Sequence, residues 1–387
     1  MVSYVSIRFR NLLLSDASWI TEVINDPEAA KYMLSVYPVT EHDVIEFLKK
    51  DLESSEAKHV VAEFDGEPAG AVSLWWRPVG RDRHIAWLGI DVRTKHWGKG
   101  VGSSLMREAI RIAKELGFRK IVLGVFEDNA RAMRLYEKSG FIKEVREKDE
   151  VWIDGSWRPG SIMGLELAPC RPKLKQSQIK DDAKNQFTPA DVKISIRQLK
   201  DGDLDEVNRL QNCTRSAKLS FRVPPLTKEQ TKQWYEAIKT QENKYCLAAF
   251  SGDKLMGYFL FKATAPPFLC LRLEEFIVDL NQNPNDAATA LVSAVKGFKE
   301  RYCYYRISAF IPENSYPIIN ALENQGFKKS GVVKDYYFID EHYTNAAVYG
   351  YSDKTKRERP KPPNFPITIQ KTRALVQQPS QPAPSIF

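Results

Sequence analysis

The sequence predicts a mixed α/β (α+β) fold, built twice in tandem and followed by a disordered tail. Three observations predict it. First, apolar runs with strand-like or helical spacing interleave through residues 6–167 and again through residues 192–353. Second, two landmarks recur. "EFDGEPAG" (Glu63–Gly70) and "AFSGDKLMG" (Ala249–Gly257) each place a glycine turn between two apolar runs, the signature of a hairpin, and "LYEKSGF" (Leu135–Phe141) is matched by "ALENQGF" (Ala321–Phe327). Phe64 to Phe141 is 77 residues, as is Phe250 to Phe327, so one offset of 186 relates both pairs and indicates an internal duplication. Third, "PCRPKLKQSQIKDDAKNQFTPAD" (Pro169–Asp191) is polar and aperiodic, as a linker is, and the tail from Lys354 carries seven prolines.

The elements of the first block follow in order. A strand near Ser6–Leu13 precedes a helix near Ala17–Ile24, then helices near Glu28–Met33 and Glu41–Leu52. Strands are expected at His59–Phe64, Ala69–Trp76 and His84–Val92. A loop with Gly98, Gly100 and Gly102 leads into a helix over Ser103–Leu116, whose Leu105, Ala109, Ile112 and Leu116 fall at three- and four-residue steps and which Gly117 ends. A strand at Lys120–Val125 and a helix at Ala130–Ser139, capped by Gly140, come next. Two closing strands near Ile142–Trp152 and Ser161–Leu167 flank the turn "DGSW".

Composition sets the broad class. The chain has 387 residues, 43% hydrophobic and 27% charged, as in soluble globular proteins of two or three domains. No apolar run approaches the roughly 18 residues of a membrane helix, and the start lacks a basic head with an apolar block, so neither membrane association nor secretion is expected. Five scattered cysteines without C-x-x-C, and five histidines without ligand-like pairing, leave no disulfide framework and no metal site. A reducing, cytoplasmic location is expected. The net charge of +8 is carried by the linker and the tail, the tail alone having seven Lys/Arg against one Glu. The folded surfaces are therefore near neutrality, and nucleic acid is not an expected partner.

The glycine loop carries the chemistry. In "KHWGKGVGSSLMREAI" (Lys95–Ile110) glycines stand at alternate positions between a strand and a helix. Glycine permits unusual φ/ψ and close approach to the backbone. Amides of the loop and of the first helical turn then point outward at the positive end of the helix dipole, which is an anion site suited to a pyrophosphate. The pattern is neither G-x-G-x-x-G nor the P-loop, and Ser103 and Ser104 are expected to cap the helix. On these residues alone, a plain tight turn remains an alternative.

The assembly "IDVRTKHWGKGVGSSLM…FEDNARAMRLYEKSGF" resembles the GCN5-related N-acetyltransferase (GNAT) superfamily. The likeness covers most of residues 6–167. It is nearest the branch of ribosomal-protein N-terminal and spermidine acetyltransferases, to which "NDPEAAKYM" and "VWIDGSWRPGSIMGLEL" are also similar. It implies two GNAT-like domains, each a mixed, mostly antiparallel central sheet flanked by helices: an acetyl-CoA-binding domain over 1–168, a linker over 169–191, a degenerate domain over 192–353 and a basic, proline-rich tail over 354–387. The family's Gln/Arg-x-x-Gly-x-Gly/Ala loop falls on Trp97, Gly98, Lys99, Gly100, Val101 and Gly102, with Ser103 next and Trp97 in place of the polar first residue. Ile90, Asp91 and Val92 would polarise the thioester carbonyl, Asn129 would contact the pantetheine arm, and Tyr136 would be the general acid toward the departing thiolate.

The implied reaction is direct transfer of acetyl from acetyl-CoA to a primary amine, on a protein N-terminus, a lysine or a small molecule. The base is not assigned. Relatives carry a glutamate in a strand reading like "AELGI", where this sequence reads "AWLGI" with Trp87; Glu63, Asp91 and His84 are candidates by nearness only. Trp87, with one of Trp75 and Trp76, is a candidate lining of the acceptor groove. In the second block the loop maps to Pro284, Asn285, Asp286, Ala287 and Ala288, and Tyr136 maps to Leu322, so that cofactor site is expected to be lost. The alternative from another class is an acetyl-CoA sensor or binding module whose basic tail recruits a partner.

Overall fold

A computed structural model describes residues 7–33, 38–153, 156–167, 194–241, 243–264 and 270–352. The expected linker (169–191) and tail (354–387) lie outside the described residues. Contacts divide the described residues into two compact units, one holding residues 7–78 and 83–167, the other Val79–Asp82 and residues 194–352.

The first unit runs β1 (Ile7–Asn11), α1 (Ala17–Asn25), α2 (Pro27–Ala30), α3 (Glu41–Leu52), β2 (Ala57–Phe64), β3 (Glu67–Trp75), β4 (Ile85–Val92), α4 (Val101–Glu115), β5 (Lys120–Phe126), α5 (Ala130–Lys138), β6 (Ile142–Ile153) and β7 (Ser156–Glu166). Its strands lie in the order β1-β2-β3-β4-β5-β7-β6. Every described pairing is antiparallel except that of β4 with β5, which is parallel. That pairing is short. It runs from Ile85–Lys120 to Trp87–Val122, after which β4 and β5 continue unpaired with each other and open a wedge in the sheet.

Two apolar layers hold this sheet. On one face α4 buries Val101, Leu105, Met106, Ala109, Ile112 and Ala113 against Leu74, Leu88, Ile121 and Leu123. On the other, Trp19 and Val23 of α1 and Val44 and Leu48 of α3 pack on Val61. Each helix ends for a local reason. Thr40 and Asp43 cap α3 reciprocally, Gly117 closes α4 at φ 79°, and Gly140 follows α5 at φ 92°. The helix expected at Glu28–Met33 is only Pro27–Ala30, and β7 begins five residues earlier than expected.

One buried ion pair braces β5. Lys120 Nζ lies 2.7 Å from Glu144 Oε1, both side chains almost fully covered. A Cβ on Gly164 would stand 2.6 Å from Glu144 Oε2 and 2.8 Å from Lys120 Cε, so the bare glycine makes room for the pair. Lys120→Met leaves a carboxylate buried without its cation and is expected to cost about 3–5 kcal/mol of stability, read as a lowered denaturant midpoint.

The second unit runs β8 (Ile194–Gln198), α6 (Leu204–Asn212), α7 (Lys228–Lys239), β9 (Lys244–Ser251), β10 (Lys254–Ala263), β11 (Cys270–Val278), α8 (Pro284–Arg301), β12 (Arg306–Pro312), α9 (Tyr316–Asn324), β13 (Lys328–Ile339) and β14 (His342–Ser352). Its strand order, β13-β14-β12-β11-β10-β9-β8, is that of the first unit read from the other end, again with one parallel pair, β11 and β12. The duplication extends to single hydrogen bonds. The Arg10–Asp16 ion pair is matched by Arg197–Asp203, and the Asn25 side chain bridging the Val39 amide and carbonyl is matched by Asn212 on Leu226. A Cβ on Gly70 would meet Asp91 O at 2.4 Å, as one on Gly257 would meet Ile277 O at 2.6 Å. The offset needs one correction. It is 186 from β5/β12 onward but 187 through the first hairpin, where Ala62–Gly70 matches Ala249–Gly257. Phe64 therefore corresponds to Ser251, not Phe250.

Candidate active site

The glycine loop lies at the mouth of the wedge. Gly98 and Gly100 adopt φ 77° and 84°, the left-handed region where side chains are strained, and a Cβ at either would meet open space. Gly102 serves differently: its φ is ordinary, and a Cβ would stand 3.3 Å from Leu135 of α5. The alternate glycines thus bend the loop twice and then let α4 approach α5.

This geometry corrects the expected cap. α4 starts at Val101, two residues before the expected start, with Gly100 as N-cap and no side-chain capping bond. Ser103 and Ser104 already lie inside the helix. The Lys99 amide donates to His96 O at 3.3 Å and the Ser104 amide to Gly100 O at 3.0 Å. The amides of Gly98, Gly100, Val101, Gly102 and Ser103 have no acceptor among the described residues. Five donors are left open at the positive end of a 15-residue helix.

A cleft of about 420 Å³ runs from this loop into the wedge. It brings together Ile90, Asp91, Val92, Trp97, Gly98, Gly100, Gly102, Ser103, Asn129 and Tyr136 of the expected site. Lys99 and Val101 do not line it. The Lys99 ammonium stands over Phe64, 5.5 Å from the ring centroid, and the Val101 side chain is fully buried in the core. Trp75, Trp76 and Trp87 do not line it either. Trp75 reaches Asp51 with its indole nitrogen (3.3 Å) and Trp76 packs on Phe118. Glu63 is held by Arg10 at 2.7 Å, and neither it nor His84 reaches the cleft.

Three features escaped the sequence. Trp97, expected only as an apolar replacement, donates from Nε1 to Val92 O at 2.7 Å and ties the loop to the end of β4. Arg131 of α5 lies flat over the Trp97 ring, 3.4 Å from its centroid. With Arg134 and Lys138 it forms a cationic row along one wall, spaced to share a helix face, and none of the three has a carboxylate partner among the described residues. The only linear signal for them was that spacing in "NARAMRLYEK". The third is His96, which lines the cleft with neither ring nitrogen bonded; burial first, then the charges of Lys95, Lys99 and Arg93, hold it below its usual pKa.

Two titratable groups lie deeper. The Tyr136 hydroxyl makes no hydrogen bond among the described residues, and its ring packs on Phe141. Burial, reinforced by the charge of Asp91, raises its pKa, so the phenol is protonated at neutral pH. Burial also pushes the Asp91 carboxyl up to about 6. Asn129 caps α5, its Oδ1 accepting from the Ala132 amide at 3.1 Å, which leaves its NH₂ for the cleft.

The matching loop of the second unit is closed. α8 begins at Pro284, the counterpart of Gly98, so the stretch that is loop in the first unit is helix here. Of the counterparts of the open amides, Pro284 has no amide proton, the Asp286 amide donates to Asn283 Oδ1 (3.4 Å) and the Ala287 amide to Asn283 O (3.3 Å). Leu322 stands at the place of Tyr136, fully buried.

Open amides at a helix N-terminus above a wedge between parallel strands make a site suited to an anion. The model of the acetyltransferase (GNAT) family matches residues 21–141, and that of an acetyltransferase (GNAT) domain matches residues 196–348. The chain belongs to the GNAT acetyltransferases. It is a tandem GNAT protein and an acetyl-CoA-dependent acyltransferase. YwnH of Bacillus subtilis is 29% identical over 157 residues, 40% of this chain and 94% of that one. The spermidine N(1)-acetyltransferase of Escherichia coli is 25% identical over 163 residues, 41% and 84% of the two chains. The L-amino acid N-acetyltransferase AaaT of Escherichia coli is 39% identical over 85 residues, 22% of this chain and 52% of that one. Among solved structures, a GNAT acetyltransferase from Streptococcus pneumoniae aligns over 42% of this GNAT chain and 100% of its own, at 27% identity and a TM-score of 0.38.

Proposed function

We propose that the first GNAT domain transfers acetyl from acetyl-CoA to a primary amine by direct attack, and that the second domain is non-catalytic. The observation that carries this reading is the set of unsatisfied amides at Gly98 and over Gly100–Ser103, set against the second unit, where Pro284 has no amide proton and the Asp286 and Ala287 amides are taken by Asn283. The amides and the Arg131–Arg134–Lys138 row would hold the phosphates of the coenzyme. The pantetheine arm would enter the wedge beyond Trp87, where backbone groups of β4 have no β5 partner, and its thioester oxygen would be polarised by amides of Ile90–Val92. The amine nitrogen attacks the thioester carbon and the C–S bond breaks. Tyr136, protonated at neutral pH, gives its proton to the leaving thiolate, and water restores it.

The relatives include a spermidine and an L-amino acid acetyltransferase. The test therefore assays thiol release from acetyl-CoA by the full chain against spermidine, free amino acids, peptides with varied N-termini and lysine peptides. Amine-dependent release is expected with at least one class. Acetyl-CoA binding by calorimetry with no release on any of them would favour a sensor and overturn the enzymatic reading.

A further inference from the structure

We infer that Asp91 is the general base of the first domain, taking over from another point on β4 the role that the absent glutamate leaves open at Trp87. The inference rests on the acetyltransferase reading above and assigns its missing proton acceptor.

Placement comes first. β3 and β4 pair without a register shift from Gly70–Val92 to Trp75–Trp87, so the alternation of side chains along β4 is unbroken. Leu88, Ile90 and Val92 pack into the core under α4. Trp87, Gly89 and Asp91 therefore share the opposite face. Ala71, across from Asp91 on β3, packs against the cluster formed by α1 and α3. Tyr136 belongs to the core on the α4 side. A thioester lodged between the unpaired parts of β4 and β5 would thus have the carboxylate toward one face of the sheet and the phenol toward the other. Such a division suits direct transfer, because the group that takes the amine's proton and the group that protonates the departing sulfur stand apart.

Availability comes second. Asp91 is the one carboxylate among the described residues lining the cleft. It makes no hydrogen bond and no ion pair among the described residues, and it remains partly exposed. Glu275, the most deeply buried acid of the second domain's β11, is its opposite. It accepts from Tyr258 (2.6 Å), Ser220 (3.3 Å) and Trp234 (3.2 Å), as a structural carboxylate does. A desolvated carboxylate with no partner lowers stability, and its retention in a cleft points to use.

The groups around Asp91 set its titration. From α5 come Tyr136, Arg131, Arg134 and Lys138, from the loop His96, and from beyond α2 Tyr32; β5 contributes Gly124, Val125 and Phe126, none of which titrates. Glu22 of α1 is held by Arg93. Burial raises the Asp91 carboxyl to about 6, and Tyr136, protonated at that pH, adds no charge of its own. Above that pH Asp91 is ionised and accepts a proton from the attacking amine; the nitrogen lone pair then forms the C–N bond, the C–S pair leaves with sulfur, and Tyr136 protonates it.

The test compares Asp91→Asn and Asp91→Glu with the unaltered full chain, using acetyl-CoA and two acceptor peptides, one offering an α-amine (pKa about 8) and one a lysine with a blocked N-terminus (pKa about 10.4). In the unaltered chain kcat/KM should rise with pH through about 6. Asp91→Asn should lower kcat/KM about 100-fold at pH 7.5, the low end for lost acid–base catalysis, abolish that acid limb, and leave acetyl-CoA affinity within about twofold. Its loss should be smaller for the α-amine, which is more often neutral in solution. Asp91→Glu should restore part of the rate and keep the limb. The melting temperature should rise in Asp91→Asn, because an uncompensated charge is removed. Equal kcat/KM in Asp91→Asn and the unaltered chain, or a loss uniform across pH with a lowered melting temperature, overturns the assignment while leaving the acetyltransferase reading intact. No turnover by the unaltered chain on these peptides, on spermidine or on free amino acids overturns both.

Discussion

Gly100→Glu is expected to abolish acetyl-CoA binding, with the dissociation constant rising more than about 100-fold. Two effects combine. Gly100 caps α4 at φ 84°, where any other L-residue costs about 1–2 kcal/mol. The new carboxylate would also stand beside the amides of Gly98, Gly100 and Val101, neutralising the field at the helix N-terminus and repelling the diphosphate. The second domain already carries this change, since Asp286 occupies the position equivalent to Gly100. Calorimetric titration of the full chain with acetyl-CoA checks it. Because a Cβ at 100 meets open space, Gly100→Ala separates the two effects: it carries the backbone cost without the charge and should weaken binding far less. Tight binding by Gly100→Glu would remove the loop from the coenzyme site.

Tyr136→Phe is expected to lower kcat by about 100- to 10,000-fold, the range for a lost general acid, with acetyl-CoA affinity nearly unchanged. The substitution is clean. The hydroxyl makes no hydrogen bond among the described residues, and the ring that packs on Phe141 is retained. Stability should not fall, since no partner is left unsatisfied. A single-turnover assay of thiol release, with the melting temperature as control, reads both. Undiminished turnover would assign the departing proton to solvent.

The sequence made the order of elements legible and, where caps were strong, the boundaries too. α3 begins and ends at the expected Glu41 and Leu52, where the structure shows Thr40 capping it. It also located the loop, the phenol and the strand end that line one cleft, because each belongs to a motif whose parts are close along the chain. What escaped depended on contacts between distant segments. Nothing local says that Gly102 faces Leu135, that Arg131 stacks on Trp97, or that Glu63 is occupied by Arg10. The serine cap failed because a left-handed glycine already ended the loop two residues earlier. Phe64 and Phe250 look equivalent along the chain but are one residue apart, because the register of paired strands fixes which positions correspond.

The early start of α8 has a thermodynamic consequence. Where a helix has absorbed the turn, with a proline first and Asn283 taking the amides of Asp286 and Ala287, an anion has little to add. The other half keeps five donors that only water or a guest can occupy, so on the proposed reading its resistance to heat should rise with the logarithm of coenzyme concentration, while that of the second half should not.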